Sequence, residues 1–123
     1  MKLLLRHHVD KLLANGRRQN GEPDFDPWPV VKLFTPDAGA TWLITAIDPD
    51  DHDILWGLCD LGLGFAEHGT VRLSELTALR GRLGLPVERD LHFKARGPIS
   101  AYIAASYPAG RIIEDIAEGA ACA

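Results

Sequence analysis

Residues 28–65, WPVVKLFTPDAGATWLITAIDPDDHDILWGLCDLGLGF, decide the fold. Three short apolar runs, 30–35, 41–48 and 54–61, are separated by Pro, Gly and Asp turns. Runs of this length, rich in Val, Ile, Thr and aromatic residues, read as strands of a meander. Pro36-Asp37-Ala38-Gly39 has the length of a hairpin turn, and residues 48–53 make a longer connection. In the second run Trp42, Ile44 and Ala46 fall on one face, with Thr41, Leu43, Thr45 and Ile47 on the other. Apolar groups on both faces place this strand at the centre of a sheet.

Working outward, residues 69–73 supply a fourth strand after the Gly62-Leu63-Gly64 bend. Ser74 is placed to cap a helix whose buried stripe is Leu76, Leu79 and Leu83, ended by Gly84. From Pro86 to Lys94 the residues alternate, with Val87, Arg89, Leu91 and Phe93 on one side and Glu88, Asp90, His92 and Lys94 on the other. That pattern predicts a strand with one polar face. Pro98 opens a further helix carrying Ile99, Tyr102 and Ile103 inward, stopped by Pro108-Ala109-Gly110. On the amino-terminal side Leu5, Val9, Leu12 and Leu13 recur at helical spacing, and Asn15-Gly16 predicts a stop, giving a helix over 2–14. The polar stretch 17–27 follows as a linker or strap, so the helix is expected to be a loosely attached arm. The expected divisions are 1–28 for helix and linker, 29–110 for the core domain, and 111–123 for a tail with a helical turn or two. Strands first, then helix, strand, helix, predict an α+β domain. Its sheet is mostly antiparallel, a meander of three to five strands, covered on one face by two or three helices.

With 46% hydrophobic and 24% charged residues, a chain of this length builds one globular domain. Its apolar runs fall far short of the roughly 20 residues that span a membrane. Arg6, His7 and His8 interrupt the apolar start before it reaches the ~7 residues of a secretion signal. The expected compartment is the cytoplasm, where Cys59 and Cys122 are two unpaired thiols rather than a disulfide. Charge is segregated along the chain: residues 1–20 carry +4, residues 21–67 carry ten acids against Lys32 alone, and residues 68–99 carry +3. Segregation of this kind orients surface fields and steers partners.

Two constellations of side chains bear on chemistry. Glu88, Asp90, His92 and Lys94, spaced about 7 Å apart along a strand face, would present two carboxylates, an imidazole and an ammonium in one row. Divalent-metal nucleases use carboxylates to hold the ion and a lysine to polarise water or phosphate. A Pro-Asp pair upstream, such as Pro49-Asp50, fits a restriction-endonuclease pattern, but His92 stands where its second acid belongs. The plainer reading is the wet face of an antiparallel strand. Asp48, Asp50, Asp51 and Asp53, with Asp60 and Glu67 further on, form the acidic side. As a calcium loop from Asp48 the pattern fails, with Asp53 at position six and Cys59 at position twelve. An Asp-rich turn that caps chain ends is the simpler account.

The histidines lack the spacing of a zinc helix, and Cys59 has no CxxC partner. Cys59 with His68 or His92 as base is weighed against a small apolar strand residue. Trp28, Trp42, Trp56, Phe25, Phe34 and Phe65 offer rings for stacking single-stranded nucleic acid, but most lie in the acidic segment, which repels phosphate. Nucleic acid, if bound, would use Arg6, Lys11, Arg17 and Arg18, or Arg72, Arg80, Arg82, Arg89, Lys94 and Arg96.

The segments PVVKLFTPDAGATWL, GLCDLGLGF and GLPVERDLHFK, with VRLSEL at 71–76, resemble the bacterial domain of unknown function numbered 2958 over roughly Pro29 to Ile112. The resemblance implies a setting on plasmids and integrative elements, among genes for conjugation and evasion of host defence. Some members carry a label of single-stranded DNA endonuclease, and none of the three segments is an established active-site motif. The leading expectation is a small non-enzymatic accessory or anti-defence protein of a mobile element, binding a protein partner through its acidic meander without a cofactor. The alternatives are a metal-dependent single-stranded DNA endonuclease, with Mg2+ held by the Glu88 row and Asp60 or Asp50, and a nucleic-acid-binding adaptor. No membrane partner is expected, and the sequence does not fix the oligomeric state.

Overall fold

A computed structural model describes residues 2–119. The elements follow in the order α1 (Arg6–Gly21), β1 (Val31–Phe34), β2 (Thr41–Ile47), β3 (Ile54–Asp60), β4 (Ala66–Arg72), α2 (Leu73–Ala78), β5 (Glu88–Arg89) and α3 (Ile99–Ala109). All strand pairs are antiparallel, in the order β4-β3-β2-β1-β5, so the protein is a single α+β domain with the expected meander at its centre. No helix among the described residues is long and apolar enough to cross a membrane.

Helices cover both faces of the sheet rather than one. On the front face Trp42, Ile44 and Ile47 pack with Leu33, Leu55, Leu12 of α1 and Leu76 of α2. On the back face Leu43 and Leu58 pack with Ile99 and Tyr102 of α3 and with Ile112 and Ile116. β2 runs between the two clusters and is buried from Trp42 to Ile47. Each of its fully buried Leu or Ile side chains contributes about 1.5–3 kcal/mol.

The strict alternation expected along β2 breaks at Thr45. The pairing with β3 slips between Ile44 and Ala46, which puts Ile47 on the front face with Trp42 and Ile44. A bulge of this kind leaves a backbone carbonyl to be satisfied from outside the ladder. The Asn15 side-chain amide donates to the Thr45 carbonyl at 2.9 Å, and the Thr45 hydroxyl donates to the Trp56 carbonyl at 3.2 Å. This explains why Asn15-Gly16 does not stop α1. Both residues are buried inside the helix, and a Cβ on Gly16 would lie 1.8 Å from the Ile47 carbonyl oxygen. Asn-Gly is the contact point of α1 on β2, so α1 is docked on the sheet and is no loose arm.

Three further expectations give way to longer-range bonds. α2 ends at Ala78, leaving Leu79 and Leu83 exposed, and the Leu83 and Leu85 amides donate to Asp37 Oδ2 at 2.6 and 3.2 Å. The cap of α2 is Asp53, which accepts from the Ser74 amide and hydroxyl at 2.8 and 2.7 Å, while its carbonyl accepts from Leu73. Residues 111–119 form no helix; they run back across the sheet, with the Ile113 amide donating to Ser106 Oγ at 2.9 Å. α3 ends as expected, in a left-handed Gly110. Cys59 is a free thiol, and Cys122 lies outside the described residues.

Candidate functional site

The acidic connection between β2 and β3 is largely committed to the fold. Asp48 Oδ1 accepts from the Asp50 and Asp51 amides at 2.8 and 3.3 Å, and Asp51 Oδ1 accepts from the Asp53 amide at 3.1 Å. Arg72 pairs with Asp51 at 3.3 Å and with Asp53 at 3.5 Å. Hydrogen bonds from Ser74, then the Arg72 charge, hold the Asp53 carboxyl below its ordinary range. Asp50 alone of the four faces solvent without an ion pair or a capping role among the described residues.

Asp60 lies at the other end of β3 and is buried. Its carboxylate accepts from the Gly62 amide at 2.8 Å and the Ile112 amide at 3.0 Å, so it ties the carboxyl-terminal segment to the sheet.

The row at Glu88, Asp90, His92 and Lys94 is not a strand face. β5 consists of Glu88 and Arg89 only, because Asp90 Oδ1 takes the His92 amide at 2.8 Å and turns the chain out of the sheet. Asp90 also meets Lys32 at 3.5 Å, and Lys32 bonds Glu114 at 2.9 Å. His92 and Lys94 are exposed beyond the turn. Glu88 registers with Phe34 at the Thr41 end of the sheet, whereas the acidic connection joins Ile47 to Ile54 at the opposite end. The two constellations therefore share no cleft. Among the described residues no group of three or more His, Cys, Asp or Glu is placed to hold a metal ion.

A further concavity lies away from both constellations. A trough of about 590 Å³ opens on the front face over β3 and β4, with Trp42, Cys59, Gly69 and Val71 as its floor and Leu76 of α2 and Leu79 just beyond it as its wall. A mostly apolar hollow of this size is the usual form of a binding site. Leu79 is 39% exposed, and Leu61, at the far end, is 53% exposed. The rim carries Glu67, Glu75 and Arg72. Arg72 is engaged by Asp51 and Asp53, while Glu67 and Glu75 have no ion pair among the described residues, so the uncompensated charge is negative. Burial, then the Glu67 charge, pushes the Cys59 thiol up to about 11. Cys59 is thus an apolar floor group and no nucleophile at neutral pH.

β4 is also an edge of the sheet. Its His68 amide points outward and donates to the Tyr107 hydroxyl at 3.1 Å. On the back of the same edge the His68 ring lies 6.2 Å from Trp56, and burial lowers its pKa against the Asp26 charge. The basic surface of α1 is partly compensated, with Arg6 to Asp10 at 3.7 Å and Arg18 to Glu22 at 2.6 Å.

Of the acids singled out from sequence, Glu67 alone stands on the trough. The fourth strand, expected over 69–73, runs over 66–72, AEHGTVR, which puts Gly69 in its interior.

A protein-family model described as "Protein of unknown function (DUF2958)" matches residues 3–113, which include α1 as well as the sheet. No curated protein and no solved structure matches the chain.

Proposed function

Because the chain belongs to the DUF2958 family of proteins of unknown function, and membership assigns no activity, we propose from its surface that it is a small accessory protein acting by binding a protein partner. The observation that supports this reading is the trough: apolar floor, acidic rim, and no segment among the described residues that fills it. Apolar surface of this kind left open beside an exposed rim is how interaction sites differ from scattered surface leucines. Of the acidic side expected from the charge segregation, Glu67 lines the trough, and Glu75, from the otherwise basic stretch 68–99, adds a second carboxylate to its rim. The setting, a bacterial mobile element evading host defence, comes from the family resemblance alone.

The experiment is a photo-crosslinking residue placed at Leu79 in cells that carry the gene, with the same residue at Leu91, exposed on the β5 side, as control. A defined adduct from Leu79 that is absent from Leu91 and weakened by Glu67→Lys with Glu75→Lys is the expected result. Equal adducts from both positions would rule out the trough as the interface. Mg2+-dependent cutting of single-stranded DNA that Asp90→Asn abolishes would replace the binding reading with the nuclease one.

A further inference from the structure

Gly69 is a glycine in the interior of a strand that internal packing leaves unexplained. Gly16 and Gly57 stand in regular elements because a Cβ would meet backbone, at 1.8 Å from the Ile47 oxygen and 2.1 Å from the Leu43 oxygen. A Cβ on Gly69 would meet no atom within 4 Å, and its φ is not positive. Glycine weakens a strand interior, and where neither bend nor bulge requires it, it marks a place where another chain comes close.

Three neighbouring features say what comes close. β4 is a seven-residue edge strand, a ready template for strand addition. Because the His68 amide points outward to the Tyr107 hydroxyl, that hydroxyl stands where the carbonyl of an added strand would accept. On the front face, successive positions of β4 are Glu67, Gly69 and Val71, all lining the trough.

We infer that the partner contributes an extended segment that adds to the outer edge of β4, its front-facing side chains reading basic, large apolar, apolar opposite Glu67, Gly69 and Val71. The large apolar group lies over Gly69, as an aromatic side chain covers a glycine on an adjacent strand. The basic group meets the uncompensated rim. A second copy of this chain pairing β4 on β4 does not supply this pattern, since its front-facing positions are again Glu67, Gly69 and Val71 and its one cationic residue, Arg72, is already engaged by Asp51 and Asp53. The inference rests on the protein-binding reading above.

The test is a selection of displayed random peptides against the full chain, followed by titration of the enriched peptides as synthetic probes. Enrichment of basic and apolar residues at alternate positions is expected. So is binding at least about ten-fold weaker to Gly69→Val, a variant expected to melt no lower than wild type. If Gly69→Val does not fold, Glu67→Lys serves instead and should switch the preferred charge from basic to acidic. Enriched peptides with helical spacing, equal binding to the variants, self-association that Gly69→Val abolishes, or no enrichment would each overturn strand addition. A Leu79 crosslink that persists in those cases leaves the trough reading standing; its loss as well removes both.

Discussion

Gly57 on β3 and Gly69 on β4 face each other across the ladder, yet the space above them differs. Above Gly57 the Leu43 and Ile44 backbone leaves no room, because the bulge at Thr45 brings β2 close. Above Gly69 nothing stands. The two residues divide the front face into halves. Over β1 and β2 the face is closed by α1, and its polar groups at Asn15 and Thr45 are matched to the bulge. Over β3 and β4 the short α2 buries only Leu76, and the remainder is an apolar trough edged by acids. One half is finished internally; the other is shaped for something outside the chain.

The largest effect expected within this comparison is at Trp42, which is 2% exposed and sits where the halves meet. Trp42→Ala should cost about 3–5 kcal/mol, measured by denaturant unfolding. A variant that melts within a degree or two of wild type would mean that the closed half does not carry the stability. Asn15→Ala comes next, at about 1–3 kcal/mol, because the Thr45 carbonyl would lose its donor inside the core. A loss no larger than that of an exposed α1 substitution would break the account of the bulge. The smallest effect is a pH dependence on the open side. The Cys59 thiol is raised from 9.0 to about 11, so the folded state holds the proton more tightly than the unfolded chain does. Its stabilising contribution is present below pH 9.0 and lost as the pH rises to about 11. Alkylation at neutral pH should accordingly be slow, and Cys59→Ala should flatten stability across that alkaline window.

The meander and the α3 boundaries were legible because they depend on local chemistry: turn residues at 36–39, alternating apolar runs, and Pro98 and Gly110 at the ends of a helix. What was illegible depends on contacts between distant residues. Asn15-Gly16 has the local form of a helix stop but meets a bulge some 30 positions away. Ser74 has the local form of a cap but is itself capped by Asp53. The alternation at 87–94 failed because one side chain, Asp90, captures the His92 amide and diverts the strand. The acidic segment was read as one surface, yet the fold spends Asp51, Asp53 and Asp60 on Arg72, Ser74 and Ile112 and leaves Glu67 at the trough. Glu67 was singled out within the acidic segment, whereas Gly69 passed as the first residue of a strand and needed the three-dimensional space around it to be interpreted.

The most direct test sets the two facing glycines side by side as Gly57→Ala and Gly69→Ala, each melted under the same conditions. Gly57→Ala should lose about 1–3 kcal/mol, since the new Cβ must displace β2 backbone. Gly69→Ala should melt at or slightly above wild type, by up to about 1 kcal/mol, as the strand gains a better former in open space. A comparable loss at both positions would show that Gly69 serves the fold itself, and would contradict the division of the sheet into a closed half and a half open to a partner.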